Sequence, residues 1–255
     1  MAPEAGEAAL DPETFLSRRT SFGVAADHYD KIRPSYPLEA ARWMLGDGPV
    51  RVVDLGAGTG IFTRVLSSLG HDVVAVEPDL GMRDKFAAKT PGVEVLEGSA
   101  ESIPLDGTSV DSVVAAQAYH WFDPAKAHPE IARVLKPGGT FSPIWNLRDE
   151  SVDWVAAMSQ VVGMEDGRDS RAGIFEVEIA DFGPLFTGME VKEFRHAVTH
   201  TADTLVHLVQ SRSYYLTASS ELKADMEAGI RTITDGLPPE FELPYIAIAY
   251  KTHKA

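Results

Sequence analysis

From residue 51 onward, short apolar runs alternate with amphipathic stretches. The period of each predicts strands near 51–55, 73–77, 93–96, 110–116 and 139–145, with helices near 60–69, 79–88 and 124–135 between them. Such alternation argues for a parallel sheet with right-handed crossovers, and ligands bind outside the carboxyl ends of its strands. After Asn146 the pattern loosens. A helix near 151–163 gives way to the polar stretch Glu165-Asp166-Gly167-Arg168-Asp169-Ser170, then a strand near 189–198, helices near 201–211 and 219–234, and a strand near 244–251. Leu237-Pro238-Pro239-Glu240 marks the final connection.

Ahead of this core, the first ten or so residues carry Ala, Glu and Pro without apolar periodicity and read as a frayed tail. Phe22, Ala25, Ala26, Tyr29 and Ile32 then recur at helical spacing, and Arg33-Pro34-Ser35-Tyr36-Pro37 stops that helix, because each proline disfavours α geometry in the residue before it. The expected organisation is a tail and helical segment over 1–48, an alternating strand–helix core over 49–146, and helices with two last strands over 147–255, all in one structural domain.

The chemistry enters at the first strand. Val52-Val53-Asp54-Leu55 runs into Gly56-Ala57-Gly58-Thr59-Gly60, and glycines there let backbone N–H groups approach a ligand that a Cβ would push away. A dinucleotide loop spaces its glycines Gly-x-Gly-x-x-Gly. Here the third comes one residue early, at Gly60, and Ile61 fills the expected place. The second strand ends in Glu77-Pro78, where a carboxylate can accept bonds from both ribose hydroxyls. Charge-assisted bonds of that kind contribute about 1.5–3 kcal/mol each. A ligand with a ribose but no phosphate suits both features.

These segments resemble the class I S-adenosylmethionine-dependent methyltransferases, within them the small-molecule branch often labelled methyltransferase type 11. The resemblance rests on Val53 to Gly60, Val76-Glu77-Pro78-Asp79 with Met82, Glu97 to Leu105, Ala116 to Phe122, and Arg133-Val134-Leu135-Lys136-Pro137-Gly138-Gly139, in that order and spacing. It implies a Rossmann-like α/β fold: a seven-stranded, mostly parallel sheet with helices on both faces and a helical cap. It implies S-adenosyl-L-methionine as cofactor, S-adenosyl-L-homocysteine as product, and an oxygen, nitrogen or carbon acceptor on a small molecule, in a setting such as secondary metabolism. Carried onto this chain, it puts Tyr29 and Arg33 of the lid near the methionine moiety and Met82 beside the adenine. Ser99, Ala100 and Glu101 then meet the adenine edge, where many relatives have Asp in place of Ser99. Gln117 and Ala118 join the same set.

Composition narrows the reading. With 38 acids against 23 bases the formal net charge is −15, which opposes phosphate backbones, so a nucleic-acid substrate is not expected. The chain has no cysteine, which rules out disulfides, thiolate metal sites and cysteine nucleophiles. No apolar run approaches bilayer length, and Met1 to Asp11 carries acids where a signal peptide carries Lys or Arg. A cytoplasmic protein with no membrane association, monomeric or homodimeric, is the expectation.

Individual residues carry open alternatives. Asp54 lies inside an apolar strand, so its carboxylate needs a partner, either the loop's own amides or the cofactor's ammonium. Glu77 can hold a ribose or simply charge the start of a helix. His120, after the fourth strand, is the candidate base, with His28 as a second; the alternative for His120 is a bond to backbone that keeps the cofactor's surroundings in place. Tyr36, Trp121, Trp145, Asn146, Arg212, Tyr214 and Tyr215 are the candidate acceptor pocket, or ordinary core. His196 and His200 stand four apart in a stretch that reads as a strand, which does not suit a metal. Two rival functions stand beside methyl transfer: a cofactor-binding scaffold or rearrangement catalyst of the same fold, and an NAD-type oxidoreductase, against which the position of Gly60 argues.

Overall fold

The structure, a computed structural model, describes residues 33–163 and 181–255. In chain order its elements are α1 (Leu38–Leu45), β1 (Arg51–Leu55), α2 (Ile61–Ser68), β2 (Asp72–Glu77), α3 (Leu80–Lys89), β3 (Glu94–Glu97), β4 (Val110–Ala116), a 3-10 turn (Tyr119–Trp121), α4 (Pro124–Val134), β5 (Leu135–Arg148), α5 (Asp153–Val162), β6 (Phe186–His200), α6 (Ala202–Gln210), α7 (Ser213–Thr217), α8 (Ser220–Thr234) and β7 (Phe241–Lys254).

The strands form one seven-stranded sheet in the order β3-β2-β1-β4-β5-β7-β6. The pairs β1/β2, β1/β4, β2/β3 and β4/β5 are parallel, and β7 runs antiparallel to both β5 and β6. The chain moves outward from β1 to β2 and β3, then returns to β4 on the other side of β1. That reversal splays apart the loops leaving β1 and β4, which is where doubly wound sheets hold ligands.

Side chains of β1 alternate between two cores. Val53 and Leu55 pack with Ile131 of α4 and Phe141 of β5, while Val52 packs with Ala40 and Ala41 of α1 and Phe62 and Leu66 of α2. Burial on both faces is why these central strands read as unbroken apolar runs. A third core joins Met158 of α5, Leu205 and Val209 of α6, and Ile230 of α8 to Phe241, Leu243 and Tyr245 at the start of β7. That is the helical cap expected after residue 147.

Four elements depart from expectation. A helix that was not expected, α1, follows Pro37, which stands at its N-cap, and its Ala40, Ala41 and Met44 are buried. Their i, i+1, i+4 spacing was the available signal. β5 is longer than residues 139–145, and β6 and β7 outgrow their expected ranges because they pair with each other from Phe186↔Lys254 to His200↔Phe241. An antiparallel ladder continues past the buried core without an apolar pattern. The lid helix with His28 and Tyr29, and the stretch 165–170, lie outside the described residues.

Phe141 is fully buried, with its ring 5.3 Å from that of Phe182 and 5.7 Å from that of Tyr119. Phe141→Ala is expected to cost about 3–5 kcal/mol in urea unfolding, whereas Leu80→Ala, at a 63% exposed site, stays within about 0.5 kcal/mol. Equal losses would contradict the assigned core.

Candidate active site

β1 ends at Leu55, and the next two N–H groups, of Gly56 and Ala57, both donate to the Val76 carbonyl on β2, at 2.8 and 3.2 Å. The Gly60 N–H then donates to the Ala57 carbonyl at 2.9 Å, turning the chain into α2. Gly56, Gly58 and Gly60 have φ of +73°, +57° and +84°. They are glycine for different reasons. A Cβ at Gly56 would stand 2.7 Å from the Ala118 methyl, and one at Gly60 would stand 2.5 Å from the Thr90 hydroxyl and 2.9 Å from the Phe86 ring. A Cβ at Gly58 would meet nothing within 4 Å, because that position borders an open cleft.

Opposite Gly58, the buried Glu77 carboxylate closes the edge. The Gly58 N–H donates to its Oε2 at 2.8 Å, and the Asp79 N–H donates to its Oε1 at 3.0 Å. The Asp79 carboxylate in turn accepts the Met82 N–H at 2.8 Å, capping α3. Burial raises the Glu77 pKa, and the two amide bonds oppose that rise. Asp54 is wholly buried, and the Thr63 hydroxyl donates to its Oδ2 at 2.5 Å. Its Oδ1 has no partner among the described residues. Burial pushes its pKa up to about 6; the Thr63 bond opposes this and the Glu77 charge adds to it. Two buried carboxylates thus stand behind one loop with no ion-paired base on either among the described residues.

The rest of the cleft comes from the loops after β3 and β4. Ser99 and Ser102 exchange backbone hydrogen bonds at 3.2 Å, which tightens the turn carrying Ala100 and Glu101. The Asp123 N–H donates to Glu101 at 2.9 Å and ties that turn to the start of α4. Gln117 sits at φ +53°, a conformation rare outside glycine. It is held there by its N–H on the Ile144 carbonyl at 2.9 Å and by its amide on the Asn146 carbonyl at 3.0 Å. Tyr36 packs edge-on to Phe62 at 4.8 Å above the first loop.

A family profile described as a methyltransferase domain matches residues 53–142. An uncharacterized methyltransferase of Mycobacterium bovis is 40% identical over 236 residues, which span 91% of this chain and 94% of the relative. The chain belongs to the class I S-adenosylmethionine-dependent methyltransferases. An uncharacterized methyltransferase of Schizosaccharomyces pombe is 33% identical over 238 residues, 89% of this chain and 94% of its own. The fold matches a solved structure from Anaeromyxobacter dehalogenans, classed as a type II methyltransferase, with a TM-score of 0.63 over 87% of this chain and 97% of that one at 22% identity.

In this methyltransferase the structure gathers most of the residues singled out in the sequence around one cleft. Arg33, Gly56, Ala57, Gly58, Glu77, Pro78, Met82, Ser99, Ala100, Glu101, Gln117 and Ala118 line it, as do Tyr36, Trp121, Asn146 and Arg212. Pro34, Ile61, Phe62, Asp79 and Phe122 line it as well; each adjoins a motif residue, which was the signal for them. Asp54 and Gly60 do not. Asp54 points to the α2 face of β1 and bonds Thr63 rather than the loop amides, and Gly60 is packed against α3.

His120 is also outside the cleft lining. The Trp145 indole N–H donates to its Nδ1 at 3.3 Å and the Trp121 ring lies 4.8 Å away. The neutral imidazole therefore carries its proton on Nε2, and burial holds its pKa down at about 4, a poor arrangement for a base at neutral pH. Trp145 is core, between Tyr119 and Tyr250. Tyr214 and Tyr215 pack into the cap, where the Tyr215 hydroxyl bonds Glu227. His196 and His200 lie on β6, bonded to Asn146 at 2.9 Å and Thr204 at 3.2 Å.

Two outcomes follow. Gly60→Ala is expected to destabilise the fold strongly, whereas Gly58→Ala adds only a left-handed backbone penalty, about 1–2 kcal/mol, and loses ligand affinity instead; thermal melts with and without S-adenosylhomocysteine separate the two, and the reverse ranking would overturn the division of roles. For His120, the folded ring stays neutral down to about 4, while the unfolded ring takes up a proton near 6.5. Its stabilising contribution is complete above 6.5 and is lost as pH falls from 6.5 toward 4. Asp54 acts oppositely, since its folded carboxyl takes up a proton near 6 and its unfolded one only near 3.8. The stability difference between wild type and His120→Asn should therefore shrink between pH 7 and 4.5 in urea titrations, and a constant difference would refute the buried neutral ring.

Proposed function

We propose that the cleft binds S-adenosyl-L-methionine and aligns its methyl with a nucleophile on a small-molecule acceptor, in a setting such as secondary metabolism. The carrying observation is the Glu77 carboxylate, fixed by the Gly58 and Asp79 N–H groups at the edge of the cleft. Each oxygen accepts one amide bond and retains a lone-pair site, which suits two ribose hydroxyls. The residues fit the cofactor in charge as well. Glu77 lines the cleft, and Asp54 lies buried behind the loop with an unpartnered oxygen and a raised pKa, so the cofactor's ammonium and sulfonium would bring positive charge to a wall with buried negative charge behind it.

When bound, the cofactor supplies an electrophilic methyl. The chain supplies position. Gly58 leaves room at the loop, Met82 and the Ser99 turn form the wall for the base, and Tyr36, Phe62, Trp121 and Phe122 make the lining apolar enough to displace water. Holding two reacting atoms about 3–3.5 Å apart and in line lowers the barrier by several kcal/mol without a covalent step. Among the described lining residues there is no histidine, so alignment carries the rate unless the acceptor brings an ionised nucleophile.

Glu77→Gln keeps an acceptor oxygen for the loop but removes the charge, and it is expected to weaken S-adenosylhomocysteine binding at least ten-fold in isothermal titration, about 1.4 kcal/mol per decade. Wild-type affinity should also fall as pH drops through about 6, because protons on Asp54 compete with the ligand's positive charge. Unchanged affinity in the variant, or binding of NAD in place of S-adenosylhomocysteine, would sink the assignment.

A further inference from the structure

The acceptor end of the cleft has an unusual charge for this chain. Arg33 and Arg212 both line it. Arg33 is tied to the end of α6, donating from Nη2 to the Ser211 carbonyl at 2.9 Å and from Nε to its hydroxyl at 3.3 Å. Arg212 follows directly, and its guanidinium has no hydrogen bond or ion pair among the described residues. Neither does that of Arg148, at the end of β5. In a chain with 38 acids and 23 bases, two half-buried arginines without a carboxylate are out of keeping. The nearest acid in sequence, Asp149, is committed to Arg195 and Ser151.

Register brings Arg148 to the same place. Tyr245 of β7 pairs with Arg148 on one side and His196 on the other, so these three side chains share one face of the sheet. Tyr245 is 1% exposed, stacked on His196 at 5.5 Å, and its hydroxyl has no partner among the described residues. The Tyr214 hydroxyl is buried and unpartnered too. Arg212, Arg148, Arg33 and Tyr214 all stand close enough to act on the Tyr245 hydroxyl electrostatically. From this group His196 leads through its bond to Asn146, which lines the cleft. A buried hydroxyl left unpaired costs about 1–3 kcal/mol, and neither Arg212 nor Arg148 has a carboxylate partner among the described residues to offset its charge.

We propose that the acceptor carries a carboxylate and that Arg212, which lines the cleft without a carboxylate partner, recognises it at the cap end of the cleft. This rests on the methyl-transfer reading and adds the substrate class. The planar fork of a guanidinium matches a carboxylate with two parallel N–H bonds.

Ligand-observed NMR on the full chain, with and without S-adenosylhomocysteine, tests this with benzoate and hexanoate against benzamide and hexanamide. Each acid is expected to bind at least five-fold more tightly than its amide. Arg212→Gln should bring that ratio near one while S-adenosylhomocysteine affinity stays within about three-fold, and Arg212→Lys should restore part of it. No preference in the wild type, or a preference that survives Arg212→Gln, overturns the proposal. So does loss of S-adenosylhomocysteine binding in Arg212→Gln with the ratio intact, which would assign Arg212 to the cofactor. Failure of the wild type to bind S-adenosylhomocysteine at all would refute the methyl-transfer reading separately, since the acid-to-amide ratio is read without it as well.

Discussion

Everything at the working edge of this sheet depends on the Glu77 carboxylate accepting the Gly58 and Asp79 amides. One oxygen holds the loop after β1 and the other holds the start of α3, so a single side chain sets the spacing between two elements at the mouth of the cleft. The carboxylate is buried and its charge is disfavoured, yet two N–H donors keep it in place. Such a group is preorganised: it does not have to be desolvated or turned when a ribose arrives.

The three loop glycines look alike in the sequence and differ in the structure. The reason read from the chain, close approach of a ligand, applies to Gly58 alone; Gly56 and Gly60 are small because Ala118, Thr90 and Phe86 are already there. Alternating strands and helices, both faces of the sheet and the cap were legible, because apolar periodicity reports them directly. The partner of Asp54 was not, since Thr63 reaches it from the next element. Trp145 and Asn146 were both placed over the cleft, although adjacent strand residues face opposite ways. Only Asn146 lines it; Trp145 turns into the core and uses its indole N–H on His120. The short helix α1 was not expected, although a proline's fixed φ serves well to begin a helix.

The two halves of the cleft are built on different physics. The cofactor half lies at the carboxyl ends of parallel strands, where backbone amides, glycines and buried carboxylates offer sites for hydroxyl and cationic groups. The other half is lined by Tyr36, Trp121, Asn146 at the end of β5, and Arg33 and Arg212 beside the cap. On the proposed reading, negative character on one side and positive on the other would orient a zwitterionic cofactor and an anionic acceptor.

A crystal structure of the protein with S-adenosylhomocysteine tests the central claim most directly. The account predicts both ribose hydroxyls on the Glu77 carboxylate, the base between Met82 and the Ser99 turn, and the sulfur facing the side lined by Tyr36, Trp121 and Arg212. A ligand seated elsewhere, or a ribose that leaves Glu77 bonded only to Gly58 and Asp79, would contradict it.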